Sequence, residues 1–311
     1  MRTGDGDARG RRWRDIAAFS LVVMIWGSTW LVIKTQVGLA PASWNVTWRF
    51  VTAGLGMFVL AALRGQGWRL TREGHGLALA LGATQFFANF EFVYRAEAQL
   101  TSGLVACVFA LLMLPNALLA RVVLGTRVSP RFLAGSAVAI AGIALLFLQE
   151  YRNAVAVGVT AAGALRILSG VVLTLCAVMA ASSANVLQAT EKARAQPMLT
   201  LLAWAMLEGA AMNAALAWAT VGGPVWVPQA SYWLAVAYLG LVGSVIAFPL
   251  YFGLVRSMGA GRAAYNGVAV PVVAMALSTL FEDYRWSVIA VGGAMLAMLG
   301  LLIALSGRVE S

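Results

Sequence analysis

The chain reads as an all-α membrane protein of ten transmembrane helices, arranged as two inverted five-helix repeats. Three observations give that reading. The composition is too apolar for water, the apolar residues fall in runs of span length, and the sequence resembles itself at one fixed offset.

Hydrophobic residues fill 61% of the 311 positions and charged residues only 11%, whereas a water-soluble domain has about a quarter of its residues charged. The apolar residues fall in runs of about twenty, the length a helix needs to cross roughly 30 Å of hydrocarbon. Ten spans are predicted, at 15–36, 45–63, 75–95, 101–124, 130–148, 166–190, 198–220, 231–252, 261–281 and 286–306. The longest connection, 149–165, is itself small and apolar and leaves no room for an extramembrane domain. A basic start before an apolar run also fits a cleavable signal peptide. This run is longer than a signal-peptide core and the repeat needs it, so it is kept as the first span. Cys107 and Cys176 both fall mid-helix and read as buried packing residues.

The net charge of +10 raises the question of a nucleic-acid partner. With the N-terminus on the cytoplasmic side of a cell inner membrane, sixteen of the 22 basic residues lie inside. Only Arg95, Arg152, Arg166 and Arg285 lie outside, while Lys34 and Arg49 sit within or at the edge of helices. That is the positive-inside bias of a multi-pass protein with both termini cytoplasmic. The charge sets topology and gives no nucleic-acid footprint; the expected partners are the lipid bilayer and a small-molecule substrate.

Sliding the chain by 156 residues brings Pro41 onto Pro197, Trp48 onto Trp204, Gly103 onto Gly259 and Pro115 onto Pro271. With only 8 prolines and 11 tryptophans, such coincidences at one ungapped shift point to a repeat. The first half is 1–150, opening with a basic cytoplasmic segment 1–14, and the second is 151–311. Five helices per half is an odd number, so the second half enters the membrane from the opposite side. Inverted halves of this kind let one fold supply both an inward-open and an outward-open state, which implies movement of a solute by alternating access.

The residues Trp26-Gly27-Ser28-Thr29-Trp30 with Lys34, then Pro41 and Trp48-Arg49-Phe50, then Thr101-Ser102, Pro115 and Leu124-Gly125, recur in part as Gly240, Gly259, Pro271, Glu282, Gly293 and Gly300. In their order and spacing, over residues 15 to 306, the chain resembles the EamA family of the drug/metabolite transporter superfamily. The resemblance implies a ten-helix fold, a central cavity between the halves, and transport of small metabolites, often amino acids and frequently outward. The family pattern has a glutamate after the proline helix in both halves; here Glu282 fills it in the second, and Thr126 stands at the shifted position in the first.

Polar groups in hydrocarbon are expensive unless satisfied, so they face a cavity or one another. Gln85 and Asn89, spaced i and i+4, form one polar stripe, and Asn185 and Gln188 form another, with Thr29 equivalent to Asn185 under the shift. Asn116 beside Pro115, and Tyr265 with Asn266, lie in the proline-containing helices. Facing one another, these eight would line a cavity of neutral hydrogen-bonding groups suited to a zwitterionic or amphipathic solute; packed helix to helix, they would be interhelical hydrogen bonds. Arg49 and Glu91 are expected at similar depth as an ion pair, with a substrate-carboxylate clamp at Arg49 as the alternative. Glu208, on nearly the same face as Trp204, reads either as a coupling or substrate-binding acid or as a carboxyl bonded to a neighbouring helix. Pro115 and Pro271 should kink their helices as paired gates. Lys34 is expected to snorkel to the headgroups or to serve the outer mouth. Trp44, Tyr151, Tyr232, Trp233 and Trp286 read as interfacial anchors. The small residues Ala290, Gly293, Ala294 and Ala297 read as a packing face, a candidate homodimer contact.

No catalytic, metal-binding or cofactor-binding pattern is expected. His75, the one histidine, reads as an interfacial residue, and there is no Cys/His metal spacing or phosphate-cradling glycine loop. A multidrug or nucleotide-sugar-like exchanger is the alternative solute class. A nucleotide sugar needs several cavity cations, and only Lys34 and Arg49 lie within the membrane.

Overall fold

The computed structural model describes residues 4–156, 161–258 and 265–306. Among them, the regular elements are helical and the only bridge is the isolated pair Val37–Ala40. Nine helices are long and apolar enough to cross a membrane: α1 (Trp13–Gln36), α2 (Ala42–Leu63), α3 (Arg72–Glu97), α4 (Ser102–Leu124), α5 (Pro130–Gln149), α6 (Gly163–Ala189), α7 (Met198–Thr220), α8 (Ala230–Tyr251) and α10 (Val288–Ser306). A shorter apolar helix, α9 (Asn266–Phe281), stands between the last two. The expected ninth span started at 261; residues 261–264, with Gly259 and Arg262, lie outside the described residues.

The helices differ from the expected spans mainly at their ends. α1 continues a helix that begins at Gly4, so most of the basic N-terminal segment is helical. The expected connection 149–165 is largely absorbed, because helix extends to Ala156 and resumes at Ala161. Its alanine-rich composition favours that conformation. α4 ends where Gly125 adopts φ 70°, a left-handed cap that glycine takes without strain.

Large apolar side chains such as Leu55, Val59, Val122, Leu168, Leu234 and Met295 point outward, as lipid contact requires. The main core lies between α2, α3 and α7, with Phe50, Met57, Leu81, Phe86, Leu202 and Met206 fully buried. Glycines bring these helices together. A Cβ on Gly54 would lie 2.7 Å from Leu207, and one on Gly82 2.8 Å from the Ala205 carbonyl.

The closest helix pair is α5 with α10. A Cβ on Gly142 would lie 2.6 Å from the Gly293 carbonyl, and one on Gly135 2.7 Å from the Gly300 carbonyl. The small-residue face of α10 is therefore used inside one chain, which removes it as a homodimer contact. Two expected anchors also turn inward. Trp44 is buried and donates to the Gly222 carbonyl, and Tyr232 is buried and donates to Asn45 Oδ1 at 2.6 Å. Tyr151 and Trp286 stay exposed. Cys107 is buried as expected, but Cys176 is exposed.

Candidate functional site

One end of the bundle is closed by polar contacts between helix termini. The N-terminus of α4 has no cap from Thr101, its own N-cap residue. Glu282, just beyond α9, supplies that cap from the other half: its carboxylate accepts the Ser102 amide at 3.1 Å and the Ser102 hydroxyl. An anion at a helix N-terminus is favoured by the unsatisfied amides and the helix dipole. Lys34 does the converse for α3, donating through Nζ to the carbonyls of Glu97 at 2.5 Å and Leu100 at 2.7 Å. Lys34 thus caps a neighbouring helix at the bundle end rather than snorkelling to headgroups. From α6, Arg166 donates to the Ala98 carbonyl at 3.1 Å.

Two helices carry π-helical segments, Gly82–Asn89 in α3 and Tyr238–Ile246 in α8. A π-turn inserts one residue and frees backbone carbonyls, and such segments concentrate at functional positions. Each segment has a backbone carbonyl that accepts from a side chain of another helix. Asn213 donates to the Phe86 carbonyl at 3.0 Å, and Trp26 donates to the Gly243 carbonyl at 3.2 Å. Ser28 meets the Tyr238 hydroxyl at 2.7 Å, and Thr29 packs beside Gly243. The Trp-Gly-Ser-Thr-Trp run of α1 is therefore the docking face for the irregular turn of α8. Gly27 lets α9 approach from the other side, since a Cβ there would lie 2.6 Å from Val273.

Arg49 sits in this interior, 3% exposed, with its guanidinium 4.3 Å from the Phe90 ring centroid. It makes no ion pair with Glu91, which corrects the expected bridge. Glu91 is held instead by Arg95, one turn along its own helix, at 2.6 Å and by Ser43 at 2.8 Å. Arg49 Nε and Nη1 are buried without hydrogen-bond partners, as are Gln85 Oε1, Asn89 Oδ1 and both carboxylate oxygens of Glu97. Asn89 donates to the Gln85 carbonyl at 3.3 Å, so the expected stripe exists as a local contact in the π-segment.

The other expected residues divide. Asn185 donates to Asn116 Oδ1 at 3.4 Å, joining α6 to α4. Asn266 is buried with Nδ2 unpartnered, and Tyr265 is 39% exposed. The Thr29 hydroxyl is bonded to the Trp26 carbonyl of its own helix. Gln188 is half-buried, with no hydrogen bond assigned to it. Glu208 lies 3.4 Å from His75 Nδ1, and His75 stacks edge-on with Trp204. His75 is thus an interhelical partner of α7 rather than a plain interfacial residue. A surface groove of about 490 Å³ lined by Phe58, Val59, Ala61, Ala62, Gln66, Trp68 and Trp204 is apolar and contains none of the expected cavity residues.

The prolines behave differently from each other. A 3₁₀ turn at Ala110–Leu112 breaks α4 just before Pro115, whose missing N–H would have bonded to Leu111. α9 runs as unbroken α-helix through Pro271.

Glu97 escaped the sequence reading because it lies two residues beyond the expected span 75–95, at the last position of the observed helix. The one available signal was the low hydropathy of α3, which holds three acids, Glu73, Glu91 and Glu97, within its length.

The described residues form an all-helical, multi-span bundle with unpartnered polar groups in its interior. The chain belongs to the EamA-like transporter family, whose model matches it twice, at residues 13–148 and 168–306. It is 24% identical to a probable amino-acid metabolite efflux pump of Escherichia coli K12, covering 92% of this chain and 93% of that one. It is 29% identical to an uncharacterized inner membrane transporter, YedA, of the same strain, covering 85% and 81%. Protein PagO of Salmonella typhimurium is 22% identical over 92% of this chain and 90% of its own. A solved crystal structure matches with TM-score 0.66 at 21% identity, covering 93% of this chain and 96% of that chain, which shows the same fold.

Proposed function

We propose that the chain exports zwitterionic small metabolites, amino acids first among them, by alternating access of two inverted five-helix halves, 1–150 and 151–311. It works in a cell inner membrane with both termini cytoplasmic. The carrying observation is Arg49: a buried guanidinium against Phe90, with two nitrogens unpartnered and no carboxylate within ion-pair distance. A guanidinium in that condition fits a solute carboxylate, which it binds through parallel hydrogen bonds. The unpartnered oxygens of Gln85 and Asn89, the latter next to Phe90, supply acceptors for an ammonium group. Thr29, Asn116, Asn185, Gln188, Tyr265 and Asn266 complete the cavity lining.

The inverted-repeat reading draws support from symmetry at the 156 shift. Pro41 and Pro197 cap α2 and α7 at equivalent positions. The π-segments begin at Gly82 and Tyr238, which are also equivalent. Gly82 abuts the Ala205 carbonyl while Gly240 abuts that of Arg49; the two carbonyls are one shift apart, and the glycines lie within two residues of it. With the N-terminus inside, the end closed by Lys34 and Glu282 is the outer one. A polyanionic solute fits poorly, because Lys34 is spent on backbone carbonyls and Arg49 is the one remaining interior cation among the described residues of α1, α2 and α3.

Pro115 and Pro271 are the flex points of the cycle, with Pro115 dominant because its helix is already broken. Pro115→Ala should restore the α-helical bond to Leu111 and slow flux with unchanged folded yield, while Pro271→Ala slows it less. Equal rates for wild type and Pro115→Ala would reject the gate. The function itself is tested in proteoliposomes with radiolabelled amino acids. Saturable, inhibitable flux of at least one amino acid is expected; flux of lipophilic cations with none of any amino acid would overturn the reading.

A further inference from the structure

We infer that Glu97 is a proton-binding site whose occupancy seals the bundle end formed by the termini of α1, α3, α4 and α9. The inference goes beyond the solute reading and uses it only to name that end the outer one.

Glu97 is 0% exposed and neither carboxylate oxygen has a hydrogen-bond partner. Its backbone carbonyl, by contrast, is held by Lys34 at 2.5 Å. The ammonium group nearest the carboxylate is therefore already committed to main-chain oxygens. The other charged groups facing it are Arg49 from α2 and Glu282 from beyond α9, close enough for their fields to act on it. Tyr94, on its own helix, gives its hydroxyl proton to Gln36 Oε1 at 3.0 Å. From α6, Arg166 is bonded to the Ala98 carbonyl. None of them donates to Glu97. A carboxylate held dry with no donor is costly, and a proton removes that cost by neutralising it.

The neighbourhood gives this neutralisation a mechanical consequence. Opening the end requires Glu282 to leave Ser102 and Lys34 to leave the Glu97 and Leu100 carbonyls. Water then reaches Glu97, the carboxyl gives one proton to that water, and the freed Lys34 ammonium stands beside the new carboxylate. Closing reverses each step, so one proton is taken up from the outer side for each sealing event. An acidic exterior favours the sealed form, and an alkaline one favours the open form.

The test needs no transported solute, so a failure of the amino-acid reading leaves it intact. Infrared spectroscopy of the purified protein at neutral pH should show the C=O stretch of a protonated, desolvated carboxyl, lost in Glu97→Gln. Spin labels at Leu39 and Val288, both exposed at this end, in a Cys176→Ser background should move apart as pH rises. Glu97→Gln should stay at the short distance throughout, and Glu97→Asp should recover the pH response. Absence of the band in wild type, its persistence in Glu97→Gln, or a Glu97→Gln distance that still follows pH would each overturn the inference. Should Glu97→Gln fail to fold, the wild-type band and the Glu97→Asp pH response decide alone.

Discussion

Gly142→Leu and Gly300→Leu should each eliminate folded protein from detergent extracts, while Gly292→Leu, on the same helix as Gly300, should leave it intact. The reason lies in what a new side chain meets. Over-packing in an adaptable core costs typically about 1–3 kcal/mol, because neighbouring side chains can move aside. At Gly142 the atoms in the way are the carbonyl of Gly293 and the backbone of Ala297, and at Gly300 they are the carbonyl of Gly135 and the backbone of Ala139. Backbone in a transmembrane helix cannot rotate away, so α5 and α10 must separate. In lipid, close packing of small residues is itself the association force, and no hydrophobic gain compensates its loss. Nothing lies within 4 Å of a Cβ on Gly292, which makes it the internal control. Size-exclusion profiles of the three variants read this directly; a monodisperse Gly142→Leu protein would contradict the packing.

Arg49→Met should abolish transport, lowering flux by about tenfold or more, yet keep the melting temperature at or above that of wild type. A residue whose role is structural would show the reverse. Arg49 is buried without an ion pair, so folding bears its desolvation without a compensating bridge. A volume-matched apolar side chain removes that penalty and breaks no ion pair, and Tyr94 keeps its bond to Gln36. The solute, in contrast, loses its only guanidinium. Arg49→Lys tests the geometry: an ammonium keeps the charge but gives up the flat contact with Phe90 and the two-pronged donor set, so affinity should fall with stability preserved. Glu91 provides the contrast. Its removal leaves Arg95 and Ser43 without their acceptor and should lower stability before it lowers affinity. A large drop in melting temperature for Arg49→Met, matched by a proportional drop in flux, would sink the assignment.

The spans were legible because bilayer thickness fixes their length, and the described part of the ninth, Asn266–Phe281, lies within the span expected for it. The family model's two matches, at 13–148 and 168–306, fall on the two halves that the spacing of Pro41, Pro197, Trp48 and Trp204 marked in the sequence. The glycine spacing of α5 and α10 was also visible, but spacing does not name the partner, and the face assigned to a second chain belongs to this one. Pairings failed for a related reason. Depth along a helix can be counted from its end, whereas the direction a side chain points around the bundle cannot. Arg49 and Glu91 were matched by depth, while Arg95 reaches Glu91 along its own helix. The π-segments worsen this, because one inserted residue turns every later side chain by about a quarter of a turn and no apolar period announces it. Trp44 and Tyr232 read as lipid anchors for want of any sign that Gly222 and Asn45 would receive them.

The central claim is that the two halves lie upside-down relative to each other. Arg64 and Thr220 are equivalent under the 156 shift, both are exposed, and each stands at or just past the end of its helix. In a background without Cys107 and Cys176, Arg64→Cys and Thr220→Cys are to be labelled in intact cells with a membrane-impermeant maleimide. The account predicts labelling of Thr220→Cys from outside and of Arg64→Cys only after the membrane is opened. Labelling of both from the same face would contradict it.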